Sequence, residues 1–170
     1  MQELSTIGYE GVSLDDFVGT LVAADVTVLA DIRERAQSRR KGFSKTALAD
    51  RLRRVGIEYI HLRALGDPKP GREAARAGDI AEFKRIYRGV LQSKDARAGL
   101  ERISTLLAND DVCLMCYERE YRLCHRAMVS DRLTALLGVP VKHLEVRELG
   151  STQKSARRVR DSRKGASAPQ

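Results

Sequence analysis

The stretch Val26–Ile32, VTVLADI, restricts the fold more than any other part of the chain. It is β-branched and nearly continuously apolar, and Asp31 is its only charged residue. A run of this kind reads as a strand buried on both faces, and such strands belong to parallel sheets covered by helices above and below. Leu4–Tyr9 (LSTIGY), Ile57–Leu62 (IEYIHL), Val112–Met115 and Val139–Leu144 read as four further strands.

Helical periodicity fills most of the intervals. Ser13 is placed to cap a helix with Asp16 three residues on, and Leu14, Phe17, Val18, Leu21 and Val22 recur at helical spacing. Ser44 precedes a second helix with Leu48 and Leu52 inward and Val55 as a third candidate, ended by Gly56. Asp79 and Glu82 resemble another capped start, before a stripe of Phe83, Ile86, Tyr87, Val90 and Leu91. Ala96–Leu107 and Leu123–Leu137 are predicted as further helices, the latter stopped by Gly138, whereas Arg63–Gly78 reads as a long connection. Strands alternating with helices predict an α/β fold: a mostly parallel five-stranded sheet with helices on both faces, a Rossmann-like three-layer sandwich. Residues 1–149 form the expected single domain, and 150–170 a basic, flexible tail.

Charge bears on partners. The chain has a formal net charge of +8, but its last twenty residues hold six Lys/Arg against one Asp, while the remainder holds 25 basic against 22 acidic residues. The body is therefore only mildly basic, and nucleic acid is an expected partner mainly through the tail. No apolar run is long enough to span a bilayer. MQELSTIGYEG does not read as a signal peptide. With three cysteines, an odd number, a disulfide framework is not expected and a cytoplasmic location is.

Chemistry concentrates in Asp111–Arg126, DVCLMCYEREYRLCHR. Open parallel sheets bind ligands outside the carboxyl ends of their strands. The groups expected there are Gly8 and Tyr9, Asp31 and Arg33, His61, Cys116 and Glu118, and His143. Cys124 and His125 fall in the first turn of the last helix, where free N–H groups and the dipole favour an anion or a thiolate. Cys113 reads as core. Asp31 and Arg33 form either a local ion pair or a unit in which Asp31 orients Arg33 to grip an anion. His61 fits either a core histidine or a member of the crevice. Ser38, Arg39, Arg40 and Lys41 are either a solvated loop or a phosphate-attracting one.

In combination, TIGYEG, DIRERAQSRRKGF, GIEYIHLRALG, CLMCYEREYRLCHR and VKHL resemble the bacterial and archaeal "domain of unknown function 488" family over roughly Ser5–Leu144. By that resemblance Gly8, Asp31, Arg33, Ser38, Arg39, Tyr59, His61, Gly66, Cys116, Glu118, Cys124, His125, Arg126 and His143 occupy pattern positions, and Asp67 stands where many members carry a second Gly. The resemblance implies a fold and a site and leaves the reaction open.

Three functions follow as expectations. The first is an enzyme acting on a phosphate-bearing, nucleotide-like or nucleic-acid-derived small anion. Arg33, Arg39, Arg126 and the helix N-terminus bind the anion, with Gly8, Tyr9, Asp31 and Ser38 beside them. Cys116 or Cys124 is then a nucleophile, or Glu118 a general acid/base, with His125 or His61 assisting. Cys116-x5-Arg122 also fits a cysteine-phosphatase loop, but two carboxylates in that loop would repel phosphate. The second is a nucleic-acid-binding module. The third is a metal site; zinc is the ion considered, with Cys116, Cys124, His125 and either His61 or His143 as ligands, although neighbouring Cys124 and His125 are expected to point apart. No cofactor is required by the sequence.

Overall fold

A computed structural model describes residues 3–148. Five parallel strands form one sheet: β1 (Leu4–Gly8), β2 (Val28–Asp31), β3 (Glu58–His61), β4 (Val112–Cys116) and β5 (Val141–Leu144), in the order β3-β2-β4-β1-β5. Six α-helices connect them: α1 (Leu14–Ala23), α2 (Lys45–Arg53), α3 (Lys69–Arg76), α4 (Ile80–Gln92), α5 (Lys94–Leu106) and α6 (His125–Leu137). The predicted three-layer α/β fold is the observed one. The basic tail expected at 150–170 lies outside the described residues. No described helix is long and apolar enough to cross a membrane.

The central strands β1, β2 and β4 are buried at every residue, as their apolar runs require. One core packs Phe17, Val18 and Leu21 of α1 and Leu48 and Leu52 of α2 against Leu29, Cys113 and Met115. The other packs Phe83 and Tyr87 of α4, Leu100 and Ile103 of α5, and Val129 and Leu133 of α6 against Val28, Ala30, Val112 and Leu114. Alternate residues along each strand thus serve opposite layers. Val22 and Val55, expected inward, are exposed at the helix ends. Ser13 caps α1 by accepting from the Asp16 N–H at 3.1 Å, and Asp79 caps α4 by accepting from the Glu82 N–H at 3.0 Å. Ser44 precedes α2 but turns its hydroxyl to Ser38 instead, accepting from the Ser38 N–H at 3.1 Å.

Two sequence expectations need correction. Residues 63–78 are not a bare connection: a 3-10 turn at Arg63–Leu65 leads into α3, which has a proline in its first turn. That Pro was a start signal, since a missing N–H costs nothing at a helix N-terminus. The helix expected over Leu123–Leu137 begins at His125, because Cys124 is extended (φ −122°, ψ 148°) and acts as its N-cap. A separate 3-10 turn occupies Tyr121–Leu123.

The topology dictates where a ligand fits. The connections leaving β1 and β2 go to the α1/α2 layer, and that leaving β4 goes to the opposite layer. Crevices open at such reversals, so one forms on each side of the end of β4. Gly8 bounds the second. A Cβ at Gly8 would lie 1.9 Å from the Glu118 carbonyl oxygen and 2.8 Å from Arg126 Nη1, so only glycine lets the loop after β4 lie across β1. Gly8→Ala is expected to cost about 2–4 kcal/mol of stability by urea unfolding. Gly138→Ala, at a left-handed φ of 68° with nothing within 4 Å among the described residues, should cost only about 1 kcal/mol.

Candidate functional site

Cys116 ends β4, and the loop that follows is held by a buried cation. Arg126, in the first turn of α6, is 2% exposed and folds back under the loop. Its Nη1 donates to Cys116 Sγ at 2.8 Å and to the Glu118 carbonyl, and its Nη2 donates to the Arg119 carbonyl at 2.9 Å. The Tyr117 carbonyl accepts from the Glu10 N–H at 2.9 Å, tying the loop to the end of β1. Arg122, the arginine of the C-x5-R pattern, is 71% exposed and pairs with Glu120. A phosphatase cradle around Cys116 is therefore not what this loop forms.

Cys124 and His125 do not diverge as expected. Because Cys124 is outside the helix, its side chain turns back over the first turn. Its sulfur accepts from the Arg126 N–H at 3.4 Å and lies 3.6 Å from His125 Nδ1. His125 Nε2 is 2.8 Å from the Ile32 carbonyl, which only accepts, so Nε2 carries the proton. Burial holds the imidazole neutral, down to about 4, despite that hydrogen bond; Nδ1 keeps its lone pair. The sulfurs of Cys116 and Cys124, read from the sequence as separate thiols, are in contact, with Cα atoms 7.6 Å apart. One ligand atom from each of Cys116, Glu118, Cys124 and His125 falls within 4.8 Å of the others. Cys113 is fully buried, with burial pushing its thiol up to about 12, as suits a core residue.

A cavity of about 420 Å³ opens beside this cluster, in the crevice between β2 and β4. Tyr9, Arg33, Ser38, Arg39, Glu118 and His125 line it, as do Arg35, Arg40, Asp67, Arg72 and Arg76. Asp31 is fully buried and takes Arg33 Nε at 2.9 Å on one oxygen and Nη2 at 2.6 Å on the other. Burial alone would disfavour the Arg33 charge, but the Asp31 carboxylate more than offsets it and raises the guanidinium above its ordinary value. Arg33 Nη1 donates to the Tyr9 hydroxyl at 2.9 Å. Of five N–H groups two remain without a partner among the described residues, so the ion pair exists and Arg33 still faces the cavity. Tyr9 stacks on Phe43, with ring centroids 4.5 Å apart.

Other expected members lie elsewhere. His61 is not beside the cysteines: its Nε2 meets the Arg33 carbonyl at 2.8 Å, where it fixes the strand end. Gly8, Arg126 and His143 line the second crevice, between β1 and the loop after β4. There His143 stacks on Tyr121 and meets Thr6 Oγ1 at 2.7 Å. Gly8 serves close backbone approach, and the Arg126 Nη1 and Nη2 donors are taken up by the protein, so neither stands with the arginines that line the first cavity. The sulfurs of Cys116 and Cys124 do not line the cavity; Glu118 and His125 do.

The sequence reading missed Asp67, Arg72 and Arg76. The last two are four residues apart on α3, a spacing that puts both on one face, but that helix was not expected. Arg72 pairs with Glu34 and also donates to the Asp67 carbonyl. Asp67 is 7% exposed and its Oδ1 has no hydrogen-bond partner among the described residues. That oxygen fits only because residue 71 is glycine, where a Cβ would fall 2.0 Å away. Burial is the main cause that pushes the Asp67 carboxyl up to about 7, against the opposing charge of Arg72 and with help from Glu118 and Glu34. Burial also raises Glu118 above the usual carboxylate range, against the charge of Arg126.

A family model described as "Domain of unknown function DUF488" matches residues 13–133. The chain belongs to this family. The DUF488 match runs from the cap of α1 into α6 and takes in both cysteines of the cluster, Asp31, Arg33 and Asp67, while Gly8 and His143 lie outside it. No curated protein and no solved structure matches the chain.

The Asp67 carboxyl has a signed consequence. Its folded value lies above its unfolded one, so the folded state binds the extra proton, and stability falls as pH rises from about 4 through about 7. Asp67→Asn removes that component. Urea midpoints of variant and native chain should shift in favour of the variant by about 2 kcal/mol between pH 5 and pH 8. An unchanged difference between them would show that Asp67 titrates normally.

Proposed function

We propose that this protein is an enzyme acting on a small phosphate-bearing anion, held in the cavity between β2 and β4. One observation carries the reading: six arginines, at 33, 35, 39, 40, 72 and 76, surround a space that Asp67, Glu118 and His125 also line. An arginine-rich concave surface favours di- or polyoxyanions, because each guanidinium offers paired donors at phosphate spacing. Arg33 is fixed by Asp31 and Tyr9, so little side-chain entropy is lost when it binds. Arg35 and Arg39 are exposed at the mouth and supply attraction at longer range.

The chemistry assigned to the site is proton transfer rather than thiol attack. Asp67, titrating near neutrality, suits a general acid/base at cellular pH. Glu118 lines the same space. The cysteine sulfurs are off the cavity wall, and their part in this reading is to fix the loop bearing Glu118.

Calorimetric titration with inorganic pyrophosphate and with adenosine diphosphate tests the binding. Arg35→Ala with Arg39→Ala should weaken saturable binding at least about tenfold, with a shallower salt dependence. Asp67→Asn should leave binding within about threefold and slow phosphate release from any compound turned over by at least about a hundredfold. No saturable binding of either probe, or affinity indifferent to the arginine changes, would sink the proposal.

A further inference from the structure

We propose that Cys116, Glu118, Cys124 and His125 bind one zinc ion at the inner edge of this cavity. Two sulfurs, one imidazole nitrogen and one carboxylate oxygen already gather within 4.8 Å of one another. A tetrahedral zinc shell has bonds of about 2.0–2.3 Å, which puts its ligand atoms roughly 3.3–3.8 Å apart, so the two touching sulfurs have to part, and the more distant ligand atoms to close in, by about an ångström to complete it. Softness agrees: thiolate with imidazole is a donor set that selects zinc over magnesium or calcium.

The surroundings resemble a metal shell in two independent respects. His125 gives its Nε2–H to the Ile32 carbonyl at 2.8 Å, which fixes the ring and leaves Nδ1 as the free donor, 3.6 Å from Cys124 Sγ. Arg126 donates to Cys116 Sγ at 2.8 Å from a buried position, an arrangement that stabilises sulfur as thiolate. The Cα separation of 7.6 Å between the cysteines exceeds the span of about 4.4–6.8 Å usual for a disulfide, whereas ligands sharing an ion tolerate it. Charge also balances: two thiol protons leave to solvent as one dication enters, so the buried site, with Arg126 and Glu118 charged, keeps its net charge.

The ligand set differs from the one expected from the sequence. His61 and His143 are engaged at the Arg33 carbonyl and at Thr6, and Glu118 takes the fourth place. Glu118 is also the least buried of the four and the only carboxylate, so it is the ligand expected to exchange most readily.

The full-length chain, reduced and stripped with chelator, is titrated with zinc alone, and metal is counted after desalting. No anion is present, so failure here is separate from failure of the phosphate reading. One equivalent per chain is expected, and cobalt in its place should give the sulfur-to-metal charge-transfer absorption of a tetrahedral site with two thiolates. Cys116→Ser and Cys124→Ser should each weaken zinc binding by at least about a hundredfold, and Glu118→Gln by about tenfold. His143→Gln should retain one equivalent. The cobalt spectrum of the native chain decides the matter even where a cysteine variant does not fold. Uptake below about a tenth of an equivalent by the reduced chain, a cobalt spectrum without sulfur ligation, or unaltered uptake by both cysteine variants would overturn the proposal. A Cys116–Cys124 disulfide found with no zinc uptake after its reduction would overturn it too, and would point to a redox pair.

Discussion

A guanidinium buried in the first turn of α6 fixes the geometry of everything around it. Arg126 makes no ion pair with a carboxylate among the described residues, and a buried charge without partners is costly. Its Nη1 and Nη2 donate to the Cys116 sulfur and to the Glu118 and Arg119 carbonyls, while its Nε has no partner among the described residues. These contacts make the loop after β4 the counterpart of a cation rather than a free connection. Once that loop is set, Glu118 faces the cavity, Cys124 is left to cap α6, and His125 reaches Ile32 on the neighbouring strand. Gly8 belongs to the same constraint, because any side chain there would displace both the loop and the guanidinium.

The sheet topology then divides the chemistry between two crevices. β4 sends its chain to one layer while β1 and β2 send theirs to the other, so the end of β4 stands between two openings. The β2 side collects arginines, two raised carboxyls and a neutral histidine. On the β1 side lie His143, Tyr121 and the flank of Arg126. Residues from five strand ends do share one edge of the sheet, but they do not share one space.

Much of this was legible in the chain before folding. VTVLADI could only be a strand buried on both faces, and the helical stripes that follow could only cover it. The Ser13 and Asp79 caps, the Gly138 stop and the concentration of reactive groups between Cys116 and Arg126 were local signals, each carried by a few adjacent residues. Local signals failed where conformation depended on distant partners. α3 was hidden because its sequence is polar and short, and it is held by contacts of Arg72 with Glu34, residues far apart in the chain. Cys124 and His125 were expected apart because regular helix geometry separates neighbours; an extended N-cap brings them together.

What the sequence determined by itself was therefore the layer architecture and the inventory of groups at the rim, since periodicity and strand polarity are properties of short segments. Only the tertiary structure decided which of those groups meet. It joined Asp31 to Arg33 while leaving part of that guanidinium facing the cavity, sent His61 and His143 to backbone and hydroxyl partners, and withdrew the sulfurs from the cavity wall. It also gave Asp67 its unusual carboxyl, because desolvation and neighbouring charge depend on what packs around a residue in space, and no stretch of sequence carries that information.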